Sequence, residues 1–145
     1  MSTSIIKLFL RLAIALGFLS AVADRFGYWS PDVSAWGNWE SFLAYTQMIN
    51  PMIPNSLIPA VGIIATTAEV VFALCLIVGF KTELFAKLSG ILILLFAVAM
   101  TFSTGIKGVF DYSVFTASLG AFALSTMKDK YLELDLILAS SHSKK

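Results

Sequence analysis

Four apolar stretches, Ile5 to Ala23, Leu57 to Phe80, Leu84 to Ser103 and Val109 to Met127, constrain this 145-residue chain more than any other feature. Each runs about 19–24 residues, which at about 1.5 Å per residue is ~28–36 Å of helix, enough to cross a hydrocarbon core of ~30 Å. Buried helices of a soluble protein would carry a charged face, and these do not. The composition agrees: 58% of residues are hydrophobic and 13% charged, with a mean hydropathy of +0.85, where an ordinary soluble domain has about 25% charged residues. The fold expected is all-α, a four-helix transmembrane bundle over residues 1–127 with an interfacial helix in the first outer loop (24–56). A cytosolic tail follows (128–145).

The charges set orientation and exclude whole classes of function. Four crossings put both termini and the turn between spans two and three on one side. That side collects Lys7, Arg11, Lys81, Lys87, Lys128 and Lys130, with Lys144 and Lys145 further out, against Arg25 and Lys107 opposite. The positive-inside rule then places the N- and C-termini in the cytosol, in a cell (inner) membrane. A formal net charge of +1, with no basic run interleaved with aromatics, gives no footprint for nucleic acid. The single cysteine, Cys75, forms no internal disulfide or C-x-x-C pair and reads as an apolar helix filler; the single histidine, His142, lies near the C-terminus, away from any haem or metal set. No P-loop or G-x-G-x-x-G is present. The bilayer is the first partner implied; a homo-oligomer is compatible with the pattern.

Lys7, the apolar run after it and Ala21-Val22-Ala23 before Asp24 fit a cleaved secretory signal. Arg11 inside the run, and the stripe Ala13, Gly17, Ala21, favour a retained span packed closely on another helix. Ala86 and Gly90 on the third span, and Ser113, Ala117, Ala121 and Ser125 on the fourth, predict further close-packing faces. Lys81-Thr82-Glu83 is a short turn, so spans two and three are antiparallel neighbours.

The outer loop carries all three tryptophans, Trp29, Trp36 and Trp39, beside Phe26, Tyr28, Phe42 and Tyr45. Asn38 can cap a helix from Trp39 to about Ile49, which Asn50-Pro51 ends, and Pro54 and Pro59 keep the return extended or kinked. The segment is either a cap over the outer mouth or an interfacial anchor. Tyr131 to Leu138 alternates apolar and acidic residues before turning apolar, and reads as a cytosolic surface or docking segment.

Glu69 is the most informative residue. It lies near the middle of the second span, ~15 Å or more from either surface, where an ionised side chain costs on the order of 2.5–3.5 kcal/mol and must face the interior, paired or protonated. The partner expected is Arg11, entering the first span from the cytosolic side. Either this pair only fixes helix register, or it holds a polar group of a lipid-soluble ligand or handles a proton. Thr66 and Thr67 can add hydroxyl hydrogen bonds or bond back to their own helix. Asp24, Arg25, Lys107 and Asp111 lie at one depth on the outer side, either as a network binding a head group beneath the Trp39-containing cap or as solvated span ends.

Two runs carry a family resemblance. Leu10-Arg11-Leu12-Ala13-x-x-Leu16-Gly17-Phe18-Leu19, and Glu69-x-x-x-Ala73-Leu74-x-Leu76-x-x-Gly79-Phe80-Lys81-Thr82-Glu83-Leu84-Phe85-Ala86, with the aromatic loop between them, resemble the DoxX family over about residues 5 to 127. That family consists of small four-span membrane proteins and is named for a subunit of a thiosulfate:quinone oxidoreductase. The resemblance implies a membrane subunit of a quinone-linked oxidoreductase system, with Arg11 and Glu69 as the shared intramembrane site and Gly79 as the tight end of the second helix. Arg11 would then donate to a quinone carbonyl and Glu69 relay a proton, with electrons arriving from a soluble partner and no covalently bound cofactor. In the family a basic residue often follows the threonine of the turn; here Lys81 precedes Thr82 and Glu83 follows it. The alternative is a non-enzymatic scaffold or small-molecule binding protein in which the ion pair is structural.

Overall fold

The computed structural model describes residues 2–136. His142, Lys144, Lys145 and the end of the apolar run to Leu138 lie outside the described residues. Six α-helices account for most of the chain: α1 Thr3–Arg25, α2 Trp39–Ile49, α3 Ile58–Val78, entered through the 3-10 turn Asn55–Leu57, α4 Thr82–Thr104, α5 Ile106–Asp111 and α6 Val114–Thr126. No strand occurs among the described residues.

Local chemistry fixes the boundaries. The side chain of Asn38 accepts from the Ser41 amide at 2.8 Å and starts α2 as expected. Pro59 sits in the first turn of α3, where its missing N–H costs no bond. Gly79 ends α3 at φ 71°, in the left-handed region, and lets the Phe80 amide return to the Cys75 carbonyl at 2.9 Å.

α1, the helix through α3, and α4 are long and apolar enough to cross a membrane, so the chain has the make-up of a multi-pass membrane protein. The stretch Val109 to Met127, expected as a fourth span, is instead divided. α5 ends at Asp111, Ser113 adopts a left-handed φ of 55°, and α6 has 13 residues, about 20 Å. A left-handed backbone at Ser113 interrupts the right-handed i to i−4 ladder, which apolar composition alone does not foretell.

The helix pairs α4/α6 and α1/α3 make the most extensive contacts, α3 and α4 join them, and α1 touches α6 far less. The close-packing face expected on α4 is present. A β-carbon on Gly90 would lie 2.9 Å from the Phe122 ring, and Ser118 Oγ donates to the Gly90 carbonyl at 2.8 Å. The core is built of Ile14, Phe18, Leu76, Ile93 and Leu124 with alanines between them, while Leu16, Ile64, Leu95 and Leu119 stand exposed around the outside. So many large apolar side chains turned outward suit helices whose surroundings are lipid rather than water.

The residues after α6 fold back onto the end of the molecule that holds the start of α1, the tail end. The opposite end, with the 26–57 connection, is the loop end. Glu133 is buried, 2.8 Å from Lys7 Nζ, and Lys7 also donates to the Asp129 carbonyl at 2.8 Å. The Asp135 carboxylate accepts from the amides of Lys81 and Thr82 at 2.9 and 3.4 Å, closing the start of α4. Up to residue 136 the segment is fastened to the tail end through Glu133 and Asp135, while Tyr131, Leu132, Leu134 and Leu136 stay exposed on its surface.

Candidate functional site: an ion pair beside the α1/α6 crevice

Glu69 faces inward on α3, 1% exposed, and the expected partner is not the one it has. Arg25, at the far end of α1, reaches back into the molecule. Its Nη2 donates to Glu69 Oε1 at 2.8 Å, its Nη1 lies 2.6 Å from Glu69 Oε2, and the same Nη1 donates to Thr66 Oγ1 at 2.6 Å. The guanidinium is roofed by aromatic rings of the loop end, 4.0 Å from the Phe42 centroid and 5.4 Å from that of Trp36. Gly62 makes room for this roof, since a β-carbon there would meet Leu43 at 2.7 Å and Phe42 at 3.2 Å.

Arg11 goes the other way. Its Nε and Nη2 donate to the Leu76 and Ile77 carbonyls at the end of α3, both at 2.9 Å, and its Nη1 donates to the Tyr131 and Leu132 carbonyls at 3.0 and 3.1 Å. The predicted Arg11–Glu69 pair is therefore not formed. Side chains on a helix lean toward its N-terminus. Arg11 leans toward the tail end and away from Glu69; Arg25 leans toward the middle; and Glu69, on a helix running oppositely, leans toward Arg25.

The other predicted residues divide. Asp24 is buried and organises the loop. Its carboxylate accepts from the Ser34 hydroxyl and from the amides of Ala35, Trp36 and Gly37 at 2.9, 3.0 and 3.4 Å. Lys107 and Asp111 pair with each other at 2.5 Å on the surface of α5 and do not join Asp24 and Arg25, so of the two readings the four-charge network is not formed and these two are solvated, whereas Asp24 and Arg25 are buried. Both belong to one helix at i, i+4, a spacing at which they reach each other first. Thr66 belongs to the site, whereas Thr67 is exposed and borders a shallow hollow with Phe26 and Trp39. Trp39 stacks on Phe26 at 5.9 Å and contacts no charged group of the site. Burial, and then the nearby Tyr112, push the Tyr45 phenol above its ordinary range, so it stays protonated under Trp36.

Arg25 and Glu69 border a crevice of about 1010 Å³ that runs between α1 and α6. Its walls are Leu10, Ala13, Ile14 and Gly17 on one helix and Ala117 and Gly120 on the other. The small-residue stripe of α1, expected to pack closely, lines this gap instead: Ala13 and Gly17 are exposed, and a β-carbon on Gly17 would meet no atom within 4 Å. Spacing on one helix shows where close approach is permitted, not whether a partner fills it.

Glu133 and Lys7 at the tail end were missed from sequence. The alternation Leu132, Glu133, Leu134, Asp135 was the available signal, with acids ready to meet Lys7 and the amides after Gly79. No group of three or more potential metal ligands occurs among the described residues. In comparison with known proteins, no family model, curated protein or solved structure matches the chain.

Proposed function

We propose that this is an integral membrane protein, of the DoxX kind its sequence resembles, that binds a quinone-like amphiphile and serves as the membrane subunit of a quinone-linked oxidoreductase. In this reading α5 and α6 together complete a fourth crossing, α2 lies at the interface, and both termini are cytosolic in a cell membrane. One observation carries it: a buried arginine–glutamate pair borders an apolar crevice of about 1010 Å³, at the upper end of the ~300–1,000 Å³ typical of small-molecule sites. Arg25 takes the head-group role expected of Arg11, donating to a ligand carbonyl, and Glu69 is the group able to exchange a proton. The chain supplies no electron carrier in this scheme, and a soluble subunit brings the electrons.

A scaffold reading has its own support, because Arg25 is 3% exposed and already engaged by Glu69, Thr66 and the two rings. Glu69→Gln separates the two. Trp29 and Trp36 border the crevice, so quenching of tryptophan fluorescence by a short-chain benzoquinone reports occupancy. If quinone binding is lost while the melting temperature is largely retained, Glu69 serves a ligand. A large fall in melting temperature with quenching unchanged makes the pair structural and ends the quinone reading.

A further inference from the structure

We propose that the α1/α6 crevice takes up a single chain of an amphiphile directly from the bilayer, that Gly17, Ala117 and Gly120 set its width, and that its head group must be uncharged. This rests on the amphiphile-binding reading above and states which amphiphiles qualify and by what path.

The dimensions fit a lipid chain. On α1 the crevice extends from Leu10 to Arg25, about 22 Å at 1.5 Å per residue, which exceeds one leaflet of a ~30 Å core. Its walls change character along that length. Leu10, Ala13, Ile14 and Gly120 are apolar, whereas hydroxyls of Ser20, Tyr112, Ser113 and Thr116 border it toward the loop end. The chain therefore lies toward the tail end and the head toward Arg25. Access is lateral, because α1 and α6 touch less than the pairs α1/α3, α3/α4 and α4/α6, and Ala13, Gly17 and Ala117 on the two walls are exposed.

Charge at the head end excludes ions. Three charged groups border the crevice there, and each is already compensated. Arg25 is neutralised by Glu69, and Asp24 is bound by four donors of its own loop. Lys107, the nearest other cation in sequence, is committed to Asp111 on the surface. An ionised carboxylate or phosphate would enter without a free counter-charge, in surroundings where that is costly. What remains unused is neutral hydrogen bonding. Arg25 Nε has no partner among the described residues, and hydroxyls line the walls, a set that suits a carbonyl or alcohol oxygen.

The test uses the full chain in lipid nanodiscs with three probes of similar chain length: hexadecanol, ionised palmitate and a prenylated benzoquinone. Hexadecanol and the quinone are expected to bind, with palmitate about tenfold weaker or more. Gly17→Leu should abolish uptake of both neutral probes while leaving the melting temperature unchanged or raised, because that side chain enters open space. Gly108→Leu, equally uncrowded but away from the crevice, should leave binding intact. Palmitate binding as tightly as hexadecanol would overturn the neutral-head claim and leave amphiphile binding standing. Undiminished binding by Gly17→Leu, in a background where Glu69→Gln removes it, would overturn the chain site alone. If no probe binds, both readings fall.

Discussion

Two arginines of the same helix, about 21 Å apart along its axis, are buried in opposite ways. Arg11, at the tail end, spends its donors on backbone carbonyls: two at the last turn of α3 and two of the returning tail. Arg25, at the loop end, is engaged by side chains, a carboxylate, a hydroxyl and two aromatic faces. Carbonyls at a helix C-terminus need donors and favour a cation, so Arg11 satisfies groups that the fold itself leaves unpaired. Carbonyls do not titrate. Glu69 does, and it borders a cavity. The tail end therefore has the chemistry of a fastening, and the loop end has the chemistry of a site.

The sharpest way to break this contrast is to remove one partner at the loop end. Arg25→Ala or Glu69→Ala strands a buried charge, and a loss of about 3–5 kcal/mol is expected in reversible unfolding in detergent. Arg25→Met with Glu69→Leu removes both charges, so the double variant should be more stable than either single one. Equal or additive losses would mean that the two residues do not act as a pair.

At the tail end the effect should be smaller and of another kind. Arg11→Ala removes charge-assisted bonds to four carbonyls, and about 2–3 kcal/mol is expected after water and neighbouring groups compensate in part. Glu133→Gln, which leaves Lys7 and Arg11 with a neutral partner, should cost less than Arg11→Ala. Proteolysis of the segment after Thr126 should quicken in both. Binding of neutral amphiphiles should be unaffected, and a loss of binding here would erase the division between the two ends.

Much of this was legible in the sequence, and the failures have distinct physical causes. The long helices followed from length and hydropathy, and α2 from Asn38, its cap, and Asn50-Pro51, its stop. That Glu69 must face the interior, paired or protonated, followed from the cost of a carboxylate in oil. Depth alone points to Arg11 as its partner, and depth without direction is misleading. Arg11 sits at a plausible level, but helical side chains lean toward the N-terminus, which turns it away from Glu69 and turns Arg25 toward it. The division of Val109 to Met127 was illegible for a different reason. It rests on one left-handed residue, Ser113, within a stretch whose composition is helical throughout. The small residues of α1 were read as contact surface because spacing reports only shape. Whether a neighbour or a void faces them is decided by the path of α6.

Two glycines sharpen that last distinction. Gly90 faces the Phe122 ring, where a β-carbon would lie at 2.9 Å, and Gly17 faces nothing within 4 Å. Gly90→Ala should therefore destabilise by about 1–3 kcal/mol through overpacking of α4 against α6. Gly17→Ala should be neutral or stabilising by up to about 1 kcal/mol through helix propensity. Melting temperatures moving in opposite directions would confirm that one small-residue face is a joint and the other a wall.

The smallest effect should come from an exposed charged pair that the site does not use. Lys107 and Asp111 are exposed on one short helix and contact each other alone among the described charged residues. Such pairs contribute a few tenths of a kcal/mol and are screened by salt. Lys107→Ala is expected to leave both the melting temperature and amphiphile binding within error of the parent, at low and at physiological salt. A clear loss of binding at low salt would place a cation in the recognition of the head group. The compensated, ion-excluding character assigned to the loop end would then be wrong, even though Arg25 and Glu69 would still be paired.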